Sequence, residues 1–347
     1  MAALSPPDRS ELQVCMIQGA TGAGGVATVV KSLANGLMQQ GCHVGQCASS
    51  PSEWRLLLSV ARRSDVLLAT HNFREAYVAW AIGALLRKPV VVWFHGPLSE
   101  VLAQARAGFA KRLWLRWFYR RAAYFVFVSA SSSQSFAQFM QGTALRSKGL
   151  TVIPNALPPM PHPKAPLPPK PDGIVRIGYV GRLSPEKNPH LLIGMLRALP
   201  SRFQLTVVGD GPLRSDLEAA SADLAQANRI RFLGHRSDIA AFYGTQDLTV
   251  LTSLYEGCAM AVLESLQAGV PCVAVPIPSL QEMLQEHAPY LLAETSTAAA
   301  LADAVEATLQ HPAAELVQDL QKVMCHYQYS HFLQRWHTLL KSTVAAC

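Results

Sequence analysis

Residues 154–171 read P-N-A-L-P-P-M-P-H-P-K-A-P-L-P-P-K-P, with proline at nine of the eighteen positions. Each proline fixes φ and removes a backbone donor, so neither a helix nor a strand runs through this stretch. It reads as an extended, fairly stiff linker that cuts the 347-residue chain into two parts of ordinary domain size. The boundaries expected from it are a first domain at 1–155, the linker at 156–172, a second domain at 173–330 and a terminal segment at 331–347. From Thr297 onward the pattern is helical, and the last helix, about Phe332–Val344, is expected to cross back to the first domain.

On both sides of the linker, short apolar runs alternate with longer amphipathic stretches. In the first half the runs are Val14–Gln18, His43–Cys47, Val66–Thr70, Val90–Phe94, Tyr124–Val128 and Thr151–Ile153. In the second they are Val175–Val180, Gln204–Val208, Arg231–Leu233, Leu248–Thr252 and Cys272–Val275, with Pro289–Leu292 a weaker candidate. Continuous Val/Ile/Leu/Phe runs separated by helices indicate parallel strands covered on both faces. Both halves therefore read as doubly wound α/β domains, in which ligands sit outside the carboxyl ends of the strands. Two such domains facing each other make a cleft.

Composition narrows the function classes. Half the residues are hydrophobic and 15% are charged, enough for two cores and too little charge for a disordered chain. No apolar run approaches the ~18 residues of a membrane span; Val78–Leu86 comes nearest. Met1–Glu11 lacks the basic, apolar and small-residue series of a secretory signal. Seven scattered cysteines include no C-x-x-C pair, which fits reduced thiols and a cytoplasmic setting. The net charge of +7 is uneven: residues 1–170 hold 18 Lys/Arg against 6 Asp/Glu, whereas residues 171–347 hold 12 against 17. A basic first half suits an anionic partner, be it membrane surface, lipid head group or nucleic acid.

The strand ends carry the chemistry. The first strand runs into G-A-T-G-A-G-G-V-A-T (Gly19–Thr28), whose glycines allow close backbone approach to a phosphate or sugar. A nicotinamide-dinucleotide site makes two further demands that fail: His43–Ser52 contains no acid for a ribose, and no tyrosine has a lysine four residues on. A plain tight turn stays open. The fourth strand ends in V-V-V-W-F-H-G-P, which places His95 at a carboxyl end; the alternative is a structural histidine. In the second half V-G-R-L-S-P-E-K-N-P (Val180–Pro189) offers Arg182 as a planar fork and Lys187 as a point charge, a pair suited to a diphosphate or else two solvated cations. Gly209 lies in a further glycine turn, V-G-D-G-P-L. In L-T-S-L-Y-E-G-C-A-M-A-V-L-E-S-L-Q-A-G-V-P (Leu251–Pro271), Glu256 falls in a loop at a helix mouth and Glu264 on the helix, with free amides expected near Met260–Ala261. Taken singly, the two acids also read as a dipole-complementing residue and an exposed helical glutamate.

Together these residues resemble the retaining glycosyltransferases of the large GT-B family 4. The resemblance rests on Gly22, Gly24 and Gly25 after the first strand, H-G at 95–96, V-S at 128–129, V-I-P-N at 152–155 and G-R-L-x-x-E-K-N at 181–188. It continues through V-V-G-D-G-P at 207–212, F-L-G at 232–234 and E-G-x-A-x-x-x-L-E with G-x-P at 256–271. It implies a nucleotide-diphosphate sugar held by the second domain. Arg182, Lys187 and the amides of Met260 and Ala261 would meet the diphosphate, Glu264 the ribose, Glu256 the sugar hydroxyls and the backbone at Gly234 the base. His95 would lie by the transferred sugar, with catalysis resting on His95, Glu256, Arg182 and Lys187. Substrate contacts would come from Gly24, Gly25, Gly209, Gly234, Gly257, Cys258, Ala259, Met260, Ala261 and Glu264. Position 265 is Ser where the family often has Ala, and the glycine loop lacks the charged residue many members carry. No Asp-x-Asp pair exists for a divalent metal, so neither a metal nor another cofactor is expected.

Lys111–Arg121 reads K-R-L-W-L-R-W-F-Y-R-R. At helical spacing Arg112, Arg116 and Arg120 share one face, and Trp114, Trp117, Phe118 and Arg121 lie opposite. This suits an interfacial helix against anionic lipid, or equally a core face with arginines in water; the basic half favours lipid. The expected partners are thus a nucleotide-sugar donor, a glycan or lipid-linked acceptor and the cytoplasmic face of a membrane, with no nucleic acid. The expected activity is retaining sugar transfer in cell-surface polysaccharide or lipopolysaccharide assembly. A nucleotide-sugar epimerase of similar layout and a non-catalytic nucleotide-sugar-binding protein are the rivals.

Overall fold

The computed structural model describes residues 11–19, 24–122, 124–143, 149–159 and 173–346; Gly22 and linker positions 160–172 lie outside them. The chain forms two compact units, Met1–Ala156 with Tyr329–Cys347, and Leu157–Gln328.

The first unit holds six strands: β1 (Gln13–Gln18), β2 (His43–Ala48), β3 (Val66–Ala69), β4 (Val90–Phe94), β5 (Tyr124–Phe127) and β6 (Gly149–Val152). All pair in parallel in the order β2-β1-β3-β4-β5-β6. Every side chain of β3, β4 and β5 is buried, as expected of strands covered by helices on both faces. Phe94 packs its ring 4.9 Å from Phe127 and 5.2 Å from Phe136, in a core where each buried large side chain contributes roughly 1.5–3 kcal/mol. Chain order reverses between β1 and β3, so their carboxyl ends form the topological switch point.

The terminal helix, Tyr329–Ala345, starts three residues ahead of the sequence expectation. It lies against the helix Gly25–Gln39, where a Cβ on Gly36 would stand 2.3 Å from the Leu333 side chain, so the absence of a side chain at Gly36 makes room for Leu333. Tyr329 donates to the carbonyl of Ser32 at 2.6 Å, and the buried Trp336 ring sits 4.7 Å from Trp93.

The helix Phe109–Tyr119 divides its residues differently from the spacing argument. Leu115, Phe118 and Tyr119 are buried, whereas Trp114 and Trp117 face out. Phe118 thus parts from Trp114, Trp117 and Arg121, with which the spacing grouped it, because Tyr77 and Trp80 of the helix Arg74–Leu86 take its ring at 4.7 and 5.9 Å.

The second unit holds β7 (Val175–Val180), β8 (Phe203–Val208), β9 (Ile230–Gly234), β10 (Leu248–Leu251) and β11 (Cys272–Ala274), parallel in the order β11-β10-β7-β8-β9. Its switch point lies between β7 and β10. Pro289–Leu292, the weaker strand candidate, is not a ladder strand. Pro289 opens a 3-10 turn, Pro289–Leu291, and only Leu292 bridges to Ala274. A proline without an N–H at the head of so short a run favours the turn.

Candidate functional site

In the second unit the switch-point loops are joined backbone to backbone and side chain to backbone. Beyond β7 the chain passes Gly181 and Arg182 and closes the 3-10 turn Pro185–Lys187. The Thr252 hydroxyl, just past β10, donates to the Lys187 carbonyl at 2.7 Å, and the Leu254 amide donates to the Glu186 carbonyl at 2.9 Å. This brings Lys187 Nζ to 2.5 Å from Glu256 Oε1, which also accepts from Ser253 Oγ at 2.6 Å. The side chains are only 26% and 13% exposed, so the pair is weakly screened and tightly held. Arg182, by contrast, is exposed and has no carboxylate partner among the described residues. The structure thus joins Lys187 to Glu256 and leaves Arg182 a separate cation on the same loop.

Gly257, Cys258, Ala259 and Met260 are buried and lead into the helix Met260–Gln267, which no side chain caps. Ala261 lies in the first turn and Glu264 one turn further. The phenol of Tyr243 donates toward Glu264 Oε2 at 3.1 Å and toward the Ala261 carbonyl at 3.2 Å. Burial pushes the Glu264 carboxyl above the usual carboxylate range, with the Tyr243 hydrogen bond opposing in part. An acid whose folded value is raised binds more protons native than unfolded, so stability falls as pH climbs through that window. Glu264→Gln keeps an acceptor oxygen for Tyr243 and removes the desolvated charge. Its melting temperature should exceed wild type at neutral pH, with the gain vanishing below about pH 4; a lower melting temperature at neutral pH would contradict this reading.

Gly209 follows β8 and Gly234 ends β9, and the Gly209 amide donates to the Gly234 carbonyl at 2.8 Å. Gly209 adopts φ +128°, and a Cβ there would meet the Gly181 carbonyl oxygen at 1.9 Å. The loops after β7, β8 and β9 therefore pack backbone on backbone.

In the first unit, Gly24 precedes and Gly25 opens the helix Gly25–Gln39, again without a side-chain cap. His95 follows β4. Its Nε2 lies 2.9 Å from the Thr70 carbonyl, which only accepts, so that nitrogen carries the proton. Nδ1 is buried and has no hydrogen-bond partner among the described residues. Burial, reinforced by His71 with its ring 5.3 Å away, pushes His95 down to about 3. It is therefore neutral near pH 7 and presents a bare lone pair rather than a proton.

Sequence reading passed over several neighbours of these residues. Glu75, buried in the first turn of the helix Arg74–Leu86, accepts from Ser49 Oγ at 3.2 Å, and Arg74 donates to the Ser49 carbonyl at 3.1 Å. A Cβ on Gly19 would lie 3.0 Å from Glu75 Oε1. The carboxyl ends of β1, β2, β3 and β4 thus gather Gly19, Ser49, His71, Glu75 and His95. The readable signal was an acid opening a helix just after a strand, in T-H-N-F-R-E. Tyr243, which orders Glu264, and Ser253, which orders Glu256, carried no such signal.

Two family models match successive parts of the chain, one described as Glycosyltransferase Family 4 over residues 45–159 and one described as Glycosyl transferases group 1 over residues 167–323. A 2-deoxystreptamine glucosyltransferase of Streptomyces kanamyceticus is 30% identical over 218 residues, 58% of this chain and 55% of that protein. The lipopolysaccharide core biosynthesis glycosyltransferase LpsE of Rhizobium meliloti is 30% identical over 127 residues, 37% of each chain. The chain thus spans about half, or less, of the length of these curated relatives. The crystal structure of Anabaena Alr3699/HepE in complex with UDP and glucose has the same fold, with a TM-score of 0.77 at 19% identity over 96% of this chain and 100% of that one.

Proposed function

Because the chain belongs to the family 4 glycosyltransferases and has their two-part GT-B architecture, we propose that it transfers a sugar, with retention, from a nucleotide-diphosphate donor to a glycan or lipid-linked acceptor. Cell-surface polysaccharide or lipopolysaccharide assembly is the setting this reading favours, in keeping with the Rhizobium relative. UDP and glucose in the Anabaena structure support the nucleotide-sugar donor. The observation that carries the proposal is the Lys187–Glu256 pair at the switch point of the second sheet.

In this reading Lys187 and Arg182 neutralise the leaving diphosphate in place of a metal, helped by the uncapped amides at the helix mouth. Glu256 uses Oε1 to aim the Lys187 ammonium, and Oε2 accepts from donor sugar hydroxyls. Glu264, held by Tyr243, accepts from the ribose, and the backbone around Gly234 meets the base. His95 accepts a sugar hydroxyl through Nδ1, a role that its neutral state fits and proton donation does not. No side chain is assigned as nucleophile. The departing phosphate takes the acceptor's proton, and the protein contributes positioning and charge.

The test is a thermal-shift screen against UDP, GDP, ADP and their sugars, followed by turnover with the stabilising donor. Acceptor-dependent release of nucleoside diphosphate is the expected result. An altered sugar without acceptor would make the protein an epimerase, and binding without turnover a carrier.

A further inference from the structure

The helix Phe109–Tyr119 is not used by this chemistry, yet its outer face is unusual. Phe109, Leu113 and Trp117 recur at i, i+4 and i+8, with exposures of 82%, 56% and 39%, and Trp114 beside them is 49% exposed. Trp114 and Trp117 stack on each other at 4.9 Å and touch Tyr77 and Trp80 only edge-on, at 6.3 and 6.1 Å. The inner face is already filled by Leu115, Phe118 and Tyr119, so core packing does not account for the outer residues. Leu85, at the end of the helix Arg74–Leu86 that packs alongside through Trp80 and Trp117, is 71% exposed.

The charge around this face is one-sided. Six Lys or Arg lie between Arg106 and Arg121, and no Asp or Glu occurs from 101 to 171. None of the six is paired with a carboxylate among the described residues, whereas Arg197, Arg214 and Arg236 of the second unit all are. Arg112 and Arg116 donate to the carbonyls of Ala107 and Phe139, and Arg121 lies over the Trp117 ring at 4.1 Å. Lys111, Arg120 and Arg121 are exposed beside the aromatic residues.

We propose that this face is an interfacial membrane-docking surface for an anionic bilayer, with Phe109, Leu113, Trp114 and Trp117 entering the head-group and acyl boundary and the cations meeting lipid phosphates. Exposed tryptophans flanked by unpaired cations are placed where one end of each ring stays wet, and Leu85, Leu113 and Phe109 gain from acyl chains. The aliphatic Leu85 and Leu113 offer nothing to a base or a phosphodiester backbone, which favours lipid over nucleic acid. No helix among the described residues is long and apolar enough to cross a membrane, so the surface lies on the bilayer. The inference does not rest on the transfer reaction.

The experiment is co-sedimentation of the full chain with vesicles of phosphatidylcholine alone or mixed with phosphatidylglycerol, at low and high salt. Binding to the mixed vesicles, absent from the neutral ones and weakened by salt, is expected. The variants W114S/W117S and R120Q/R121Q should each lower the partition coefficient roughly tenfold or more. The donor-nucleotide thermal shifts should stay at wild-type values in both variants; the melting temperature should do so in R120Q/R121Q, whose side chains are exposed, whereas the tryptophans also touch Tyr77 and Trp80. If the tryptophan variant loses stability, the arginine variant decides. No binding to either vesicle, equal binding to both, partition unaffected in the arginine variant, or tighter binding to DNA than to mixed vesicles would each overturn the proposal.

Discussion

Lys187→Ala should lower kcat by roughly a thousandfold, the scale at which removing one transition-state charge stabiliser acts. The ammonium is the cation that the structure fixes in place: the Pro185–Lys187 turn, the Thr252 hydrogen bond and Glu256 all constrain it. In the proposed reaction charge develops on the leaving diphosphate as the glycosidic bond breaks, so loss of the ammonium should lower kcat as well as diphosphate affinity. Stability falls as well, by about 1–3 kcal/mol, because Glu256 is left largely buried without its partner. The double variant K187A/E256Q separates the two effects. It should recover most of the melting temperature, since a neutral amide tolerates the site, while activity stays low. Recovery of both, or loss of stability with kcat unchanged, would make the pair a structural clasp and remove it from the chemistry.

Gly209→Ala carries the largest expected cost to the fold, about 3–5 kcal/mol. Two independent penalties meet there. A φ of +128° is one that side-chain-bearing residues rarely adopt, and the added methyl group would stand 1.9 Å from a backbone oxygen of Gly181. The obstacle is main chain, so no rotamer change relieves it. Either the β7 loop moves, carrying Arg182 and Lys187 with it, or the Gly209–Gly234 hydrogen bond breaks. Both routes should lower the melting temperature by calorimetry and also abolish the thermal shift given by donor nucleotide. A variant that melts and binds like wild type would show that these loops are not locked as described.

Much of the architecture was legible in the chain because parallel strands buried on both faces must be continuous apolar runs. V-V-V-W-F at 90–94 and Y-F-V-F at 124–127 have few other ways to exist in water. Pro289–Leu292 misled because it has strand-like composition without a ladder to join. The helix Phe109–Tyr119 showed its aromatic and basic content in sequence but not its inner face, which Tyr77 and Trp80, more than thirty positions away, determine. The candidate site was legible in type and not in pairing. Lys187 and Glu256 stand 69 positions apart, and only the crossing of β7 and β10 beside each other makes them one unit. The same holds for His95, whose tautomer is set by a carbonyl 25 positions away, and for Glu75, whose partner Ser49 ends a different strand.

The central claim is that cationic side chains of the second unit hold a diphosphate without a metal. Calorimetric titration of the wild type, R182A and K187A with a nucleoside diphosphate and the matching monophosphate, in the presence of EDTA, tests it most directly. The wild type should bind the diphosphate at least roughly tenfold more tightly than the monophosphate, and each variant should lose most of that preference while holding the monophosphate as before. A preference that appears only with added divalent ion, or that both variants retain in full, would contradict the account.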